Sequence, residues 1–450
     1  MSLDGTGPPG ERADTPLSAA IGAARWIRSA ATGGGRGSRR WHWAANPDPR
    51  GRSALPPEPA SLYAGASGIV LFFLELAAAT GDDDYLGDVR AGVGYLASAW
   101  REVTDVSFYH GLSGIAVALC EAGWVLGDGG PEEVAAAALG RVARAARPMA
   151  GGPGWSGDPA QRADGGVVLA LLHGGSMLGV PAFEELAVEA GLRVARLAVP
   201  GHRFGDCAGL PADAVTPGFL AGTSGTAFLL ARLYGVTGEL RFLEAARRGA
   251  GFVRAVSVLS GRCARVPHHL PQGRDLQYLG FCAGSAGVAR MFYELYRVGG
   301  DPGDLDWAER LAGGIVTSGV PDERGPGRSR SGWWDSACQC CGVAGLVELF
   351  AGLWAATGRA AYLGFAQRLG AYLLGRASGD DGGLRWYQAY RRLRPEELSA
   401  DTGYMAGAAG IGAALLHLDA VERAGARRLV LLPDNPFPAF APQRGREQGD

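Results

Sequence analysis

An excess of charge of either sign is missing from this sequence: 43 basic residues face 45 acidic ones, for a formal net charge of −2 over 450 residues. So close a balance gives no field that would gather nucleic acid or an anionic membrane surface, which leaves small or peptidic partners. Long apolar runs are missing as well. No stretch approaches the roughly 18 uninterrupted apolar residues of a membrane span, and residues 1–30 lack a basic region followed by an apolar core, so a cytoplasmic chain with no membrane span is expected. Lysine is absent, every basic residue being arginine; with alanine and glycine abundant, this points to the base composition of a genome and to no function. An even set of cysteines is also lacking. There are seven, and three of them, Cys338, Cys340 and Cys341, lie too close together to cross-link distant segments. In a reducing compartment such clustering points to metal or to reactivity.

What is present is a core-forming composition, 47% hydrophobic, organised by a repeat. A Gly-x-x-Gly step followed by an apolar, helix-periodic run recurs seven times: YAGASGIVLFFLEL (second glycine Gly68), YHGLSGIAVALCEA (Gly114), a degraded ADGGVVLALL (Gly166), LAGTSGTAFLLARLY (Gly225), CAGSAGVARMFYELY (Gly287), CCGVAGLVELFAGL (Gly345) and MAGAAGIGAALLHL (Gly410). Between copies lie helical stretches with a polar face, at 85–100, 131–147, 181–199, 239–259 and 359–376. The helix after each glycine pair is apolar nearly all round, as an inner helix would be, and the intervening one is amphipathic, as an outer one would be. A helix at 16–28 supplies the outer partner still missing. The pattern predicts an all-α fold, an α/α toroid of seven inner and seven outer helices closed into a single domain over residues 1–432. Residues 32–57, rich in Gly, Arg and Pro around Trp41, His42 and Trp43, are expected to form a loop or lid, and 433–450 a disordered tail.

Equivalent positions of the repeats share one end of the ring, and there the pairs before the first glycine are bland or aromatic in most copies, such as Tyr63-Ala64, Leu220-Ala221 and Met405-Ala406. The fifth copy carries Cys282-Ala283 and the sixth Cys340-Cys341. Three thiols should therefore converge at one mouth. Thiolates so grouped are soft ligands that zinc selects, and three of them leave a fourth tetrahedral position open, the pattern of a catalytic site.

The order GFCAGSAG then CCGVAG on a seven-fold Gly-x-x-Gly ring resembles the lanthionine cyclases, the LanC-like family, over roughly residues 61–420. The resemblance implies one Zn2+ per chain held by Cys282, Cys340 and Cys341, with Cys341 standing where a histidine is usual, the Cys-Cys-Gly variant. It implies addition of peptide cysteine thiols to dehydroalanine or dehydrobutyrine, on a dehydrated precursor peptide that separate dehydratase proteins prepare, this chain having no room for such a domain. Three thiolates would make the site one charge more negative than two cysteines and a neutral histidine.

The match fails at several places. The family's histidine before the fourth-repeat glycine is Ala221 here, the aromatic after the fifth-repeat cysteine is Ala283, the basic residue four positions before it is Tyr278, and the third-repeat aspartate is met by Asp158 only with a shift of one residue. Candidates to replace the proton handling are His110, at the register of Cys341 in the second repeat, and Tyr63 and Tyr109, each two residues before a glycine. His268 and His269, with Arg274 and Asp275, lie in the loop leading to Cys282, where His269 is the catalytic candidate. His173, Cys120 and Cys207 read as structural, Cys338 as a neighbour of the ligands, and Trp333 and Trp334 as a groove wall or a loop anchor. Two further readings stay open: a non-catalytic scaffold that holds the precursor for other enzymes, and addition of glutathione to dehydrated residues. A glycosidase is excluded because the mouth positions hold no Asp or Glu.

Overall fold

The computed structural model describes residues 13–33, 41–48, 51, 53, 58–197, 210–211, 213–322, 336–389, 394, 396–423 and 428–439. Fourteen α-helices lie within them: α1 (Pro16–Ser29), α2 (Ala66–Thr80), α3 (Asp84–Ala99), α4 (Leu112–Leu126), α5 (Gly129–Arg144), α6 (Asp164–Leu178), α7 (Pro181–Leu197), α8 (Thr223–Thr237), α9 (Leu240–Val256), α10 (Ser285–Gly299), α11 (Pro302–Val316), α12 (Val343–Thr357), α13 (Ala360–Arg376) and α14 (Ala408–Glu422). The even-numbered helices are the inner ring. In α2, residues 66–77 are all buried, whereas α9 hides only one stripe, including Phe242, Ala246, Gly249 and Val253 at helical spacing. Three outer helices begin on side-chain caps: Thr15 and Ser18 make a capping box for α1, and Asp128 and Asp301 accept from Gly130 and Gly303 at the starts of α5 and α11.

The ring closes as the pattern predicts. The inner helix α14 packs on α12 on one side and on α2 on the other, and α1 lies along α14 as its outer partner. Short antiparallel hairpins, such as 258–260 with 263–265 and 378–380 with 383–385, lead from an outer helix back to the mouth. The outer helix expected to run to 259 ends at Val256 and gives way to the first of these, whereas the helix expected to end at 376 does so. No helix among the described residues is long and apolar enough to cross a membrane.

Two expectations change. In the segment expected as a loop or lid, the described part is built into the wall: Ala31 and Thr32 pair with Trp43 and His42, Trp43 is fully buried against Phe73 of α2, and His42 stacks on Tyr95 of α3. The expected disordered tail begins too early. Asp434, Asn435 and Phe437 are buried, because the chain after α14 turns back into the lumen of the ring and meets polar groups there. The backbone N–H groups of Leu429 and Val430 donate to the Glu75 carboxylate at 3.0 and 2.7 Å, Arg428 pairs with Glu348 at 3.0 Å, Arg232 donates to the Asn435 carbonyl at 3.0 Å, and Phe437 stacks on Tyr293. Gly352 makes room for this plug, since a Cβ there would lie 2.4 Å from the Phe437 ring.

The lumen is polar by design of the inner helices. The tenth residue of each is Glu75, Glu121, His173, Arg232, Glu294, Gly352 or His417 in turn. Neighbours pair across the helices, His173 with Glu121 at 3.0 Å, Arg232 with Glu294 at 3.2 Å, and His417 with both Glu75 and Glu348. Burial and Arg428 pull the His417 imidazole down, but the carboxylates of Glu348 and Glu75 outweigh them and raise it above its ordinary value. Glu348 is held well below the carboxylate range by Arg428 and His417 against the opposing effect of burial.

Removing one member of a buried ion pair leaves the other charge without compensation, at about 3–5 kcal/mol. Arg428→Ala is therefore expected to lower the unfolding free energy by that order, whereas Arg241→Ala, at an exposed pair with Glu239, leaves it unchanged; equilibrium unfolding in urea checks both. Because His417 titrates higher folded than unfolded, its stabilisation is complete below about pH 6.5 and fades as pH rises through the raised value. The unfolding midpoint should fall above neutral pH in the wild type and less steeply in His417→Gln.

Candidate metal centre

The loops preceding the inner helices are tied to one another around the mouth. The backbone N–H of Arg162 donates to Leu220 O, Leu220 to Cys282 O, Cys282 to Cys340 O, Cys340 to Met405 O, Met405 to Tyr63 O and Tyr63 to Tyr109 O, at 2.8–3.1 Å. Apart from Arg162, these residues lie two before the glycine that opens each inner helix. The degraded third repeat is one residue shorter here, so Arg162 takes the place that Cys340 has in the sixth. This explains the one-residue shift that Asp158 requires.

On that girdle Cys282, Cys340 and Cys341 come together, with all three Sγ atoms within 4.8 Å of one another and Cys282 Sγ 3.3 Å from Cys341 Sγ. Gly280 permits the approach: a Cβ there would fall 2.6 Å from the Cys341 carbonyl oxygen. Cys340 is buried, while Cys282 and Cys341 are half-buried at the opening. Hydrogen bonds from Cys340 and Cys341 hold the Cys282 thiol well below its ordinary value, and the two donating thiols are pushed up correspondingly. Cys338 stands behind the cluster, hydrogen-bonded to Cys341 and 3.2 Å from Ser336 Oγ.

Four ligands at Zn–S distances of about 2.3 Å place sulfurs roughly 3.8 Å apart on a tetrahedron edge. The observed sulfur separations, 3.3 Å for Cys282 and Cys341 and no more than 4.8 Å for any pair, bracket that edge, and the donors are all soft. Cys282, Cys340 and Cys341 would hold a zinc ion.

The other expected residues separate into two groups. His110 and Tyr63 stand beside the thiols: the Tyr63 hydroxyl hydrogen-bonds Cys340, and the His110 ring stacks on Tyr63 with centroids 5.0 Å apart. Tyr109, Asp158 and His269 are engaged elsewhere. Tyr109 is fully buried below the mouth, and its hydroxyl donates to Asp434 of the plug; burial first, then that carboxylate, raises it well above its ordinary value. Asp158 caps a turn by accepting from Ala160 N at 3.0 Å. The carboxylate that organises this loop is Asp164, which accepts from Trp155, Ser156 and Gly157 N–H groups and from Arg193. His269 faces His268, nitrogen to nitrogen at 3.0 Å, and burial lowers it.

Among the remaining candidates, Cys120 lies in the core with its thiol raised by burial to about 12, and His173 belongs to the lumen layer. Cys207, Trp333 and Trp334 lie outside the described residues. The sequence reading missed Glu58, whose carboxylate Oε2 is 2.6 Å from His110 Nδ1. It also missed Asp434, which with Tyr109, Arg290 and Arg428 lines a cavity of about 30 Å³ under the mouth, room for one or two waters.

The model of the lanthionine synthetase C-like protein family matches residues 56–145 and 221–427. Among solved structures, nisin cyclase aligns with a TM-score of 0.59 at 14% identity, over 82% of this chain and 90% of that one. The Lin0763 protein from Listeria innocua aligns with a TM-score of 0.51 at 14% identity, over 91% of this chain and 98% of that one. No curated protein matches the sequence.

Elemental analysis of protein purified without chelator is expected to give about one zinc per chain, and none when Cys282, Cys340 and Cys341 are together changed to alanine. Cys341→His should keep the metal, since imidazole is an equally good zinc ligand.

Proposed function

For a chain that belongs to the lanthionine synthetase C-like family, we propose the activity of a zinc-dependent lanthionine cyclase, closing thioether rings in a dehydrated precursor peptide. The supporting observation is the convergence of three thiols at a mouth that opens to solvent on one side. Zinc held by Cys282, Cys340 and Cys341 would lower the pKa of a fourth thiol arriving from the peptide, so that thiolate is available near neutral pH. The formal charge of such a site, near −1, favours nucleophilic sulfur over Lewis acidity.

The chain's own residues shape the rest. Leu220 and Met405, each one girdle position from a thiol-bearing loop, give the mouth apolar walls for a dehydroalanine or dehydrobutyrine side chain. In the addition, a C–S bond forms at the β carbon, the π electron pair moves to the α carbon, and a proton is delivered there; the thiol loses one proton and the α carbon gains one, so the step is redox-neutral. The peptide would be dehydrated by separate proteins in the cytoplasm.

One observation favours a second reading. Ala221 occupies the mouth position where the family carries a histidine, which suits a scaffold that binds the precursor for other enzymes.

Incubating zinc-loaded protein with a synthetic peptide that contains one dehydroalanine and one cysteine separates these. A cyclase yields product of unchanged mass that N-ethylmaleimide no longer alkylates, and Cys340→Ala is expected to abolish it; a scaffold binds the peptide and leaves the thiol alkylatable.

A further inference from the structure

The proton that the α carbon must receive has no donor in the fourth repeat, and the opposite side of the mouth supplies a connected set of groups. Cys282 and Cys340 sit on repeats five and six; His110 sits on repeat two, three steps round the ring from either, at the register that Cys341 and Ala221 hold in their own repeats. Its imidazole is fixed twice. Nδ1 lies 2.6 Å from Glu58 Oε2, and the ring stacks on Tyr63 at an interplanar angle of 22°. A carboxylate only accepts, so Nδ1 is the donor of that bond and carries a proton. That leaves Nε2 as the exchanging nitrogen. The Tyr63 hydroxyl in turn hydrogen-bonds Cys340. Glu58, His110, Tyr63 and Cys340 thus form one line from solvent to the thiol cluster, with His110 and Glu58 about one-third exposed and Tyr63 buried.

Resting on the cyclase reading above, we propose that His110 is the catalytic acid of the ring closure, with Glu58 and Tyr63 as its positioning residues. Sulfur and proton must reach adjacent carbons, so thiol and acid have to flank the alkene at close range, and Tyr63 is the spacer that touches both sides. As the C–S bond forms, the π pair moves to the α carbon and the adjacent amide carbonyl; Nε2–H of the imidazolium gives its proton to the α carbon and is left with a lone pair. The proton released by the incoming thiol restores the imidazolium, and the cycle is balanced without an external reactant. Because the acid is held on one side of the alkene, it delivers to one face. His110 therefore also selects the configuration at the α carbon.

The test compares zinc-loaded wild type with His110→Asn, Glu58→Ala and Glu58→Asp, after zinc content and unfolding midpoint show that each variant keeps the metal and the fold. His110→Asn is expected to slow cyclisation by about 10²–10⁴-fold, the range for a lost general acid, with KM unchanged and the residual product a mixture of α-carbon configurations. Glu58→Ala should lower kcat less and leave KM alone, and Glu58→Asp should restore part of the loss. Independently of turnover, 15N-histidine spectra of the wild type should show His110 protonated at Nδ1, with a change in that resonance in Glu58→Ala. A His110→Asn variant that cyclises at the wild-type rate into one configuration, or a wild-type His110 unprotonated at Nδ1, overturns this inference and leaves the cyclase reading standing. Zinc-loaded wild type that forms no thioether overturns both.

Discussion

A girdle of backbone hydrogen bonds round the mouth holds the architecture in register. Neighbouring loops before the inner helices are joined N–H to C=O, and six such bonds link all seven repeats. A bond of this kind contributes about 1 kcal/mol net, and the same group left buried and unpaired would cost more. The loops are therefore not free to drift relative to one another, and every donor points the same way round the ring. The side chains two residues before each glycine are consequently held at one height. Cysteines on different repeats meet because their backbones are bonded directly, Cys282 N–H to the Cys340 carbonyl at 3.0 Å.

Below the girdle the toroid solves a different problem. Seven inner helices that were apolar on every face would leave a lumen too wide for their side chains to fill. This chain lines it with Glu75, Glu121, His173, Arg232, Glu294 and His417 and then fills it with its own residues 428–437. The plug satisfies those groups with backbone as well as side chains: Glu75 receives two main-chain N–H groups, and Arg232 donates to a main-chain carbonyl. Buried ion pairs are weak grounds for stability compared with a well-packed apolar interior. Their use here fixes one path for the terminal segment, since Glu75, Glu348 and Arg232 each have a specific partner along it.

The ring and the thiol site were legible in the sequence because both repeat. Seven glycine pairs at similar spacing define the inner helices, and ligand types at one register need only the symmetry of the ring to be brought together. Features that break the repeat were not legible. The third copy is one residue short, which placed Asp158 at a turn and left the organising carboxylate to Asp164. Glu58 meets His110 across 52 residues of chain, from a stretch without periodicity, and no pattern links the two. Asp434 and Phe437 follow a proline in a stretch that reads as a polar terminus, and their burial depends on a lumen that exists only once the ring has closed. Tyr109 shows the same limit: its register resembles that of Tyr63, yet one hydroxyl reaches a thiol and the other a carboxylate of the plug.

The filled lumen also decides how a long peptide can be handled. A hollow ring could be threaded like a needle, with chain entering at one end and leaving at the other. A ring stoppered by residues 428–437 is a shallow cup, and whatever dips into it must be withdrawn by the same route. Successive segments of a substrate would then visit as separate bights, each free to turn over in solution before the next visit. The order in which they are processed would be governed by how readily each segment folds into the cup and not by its position along the strand.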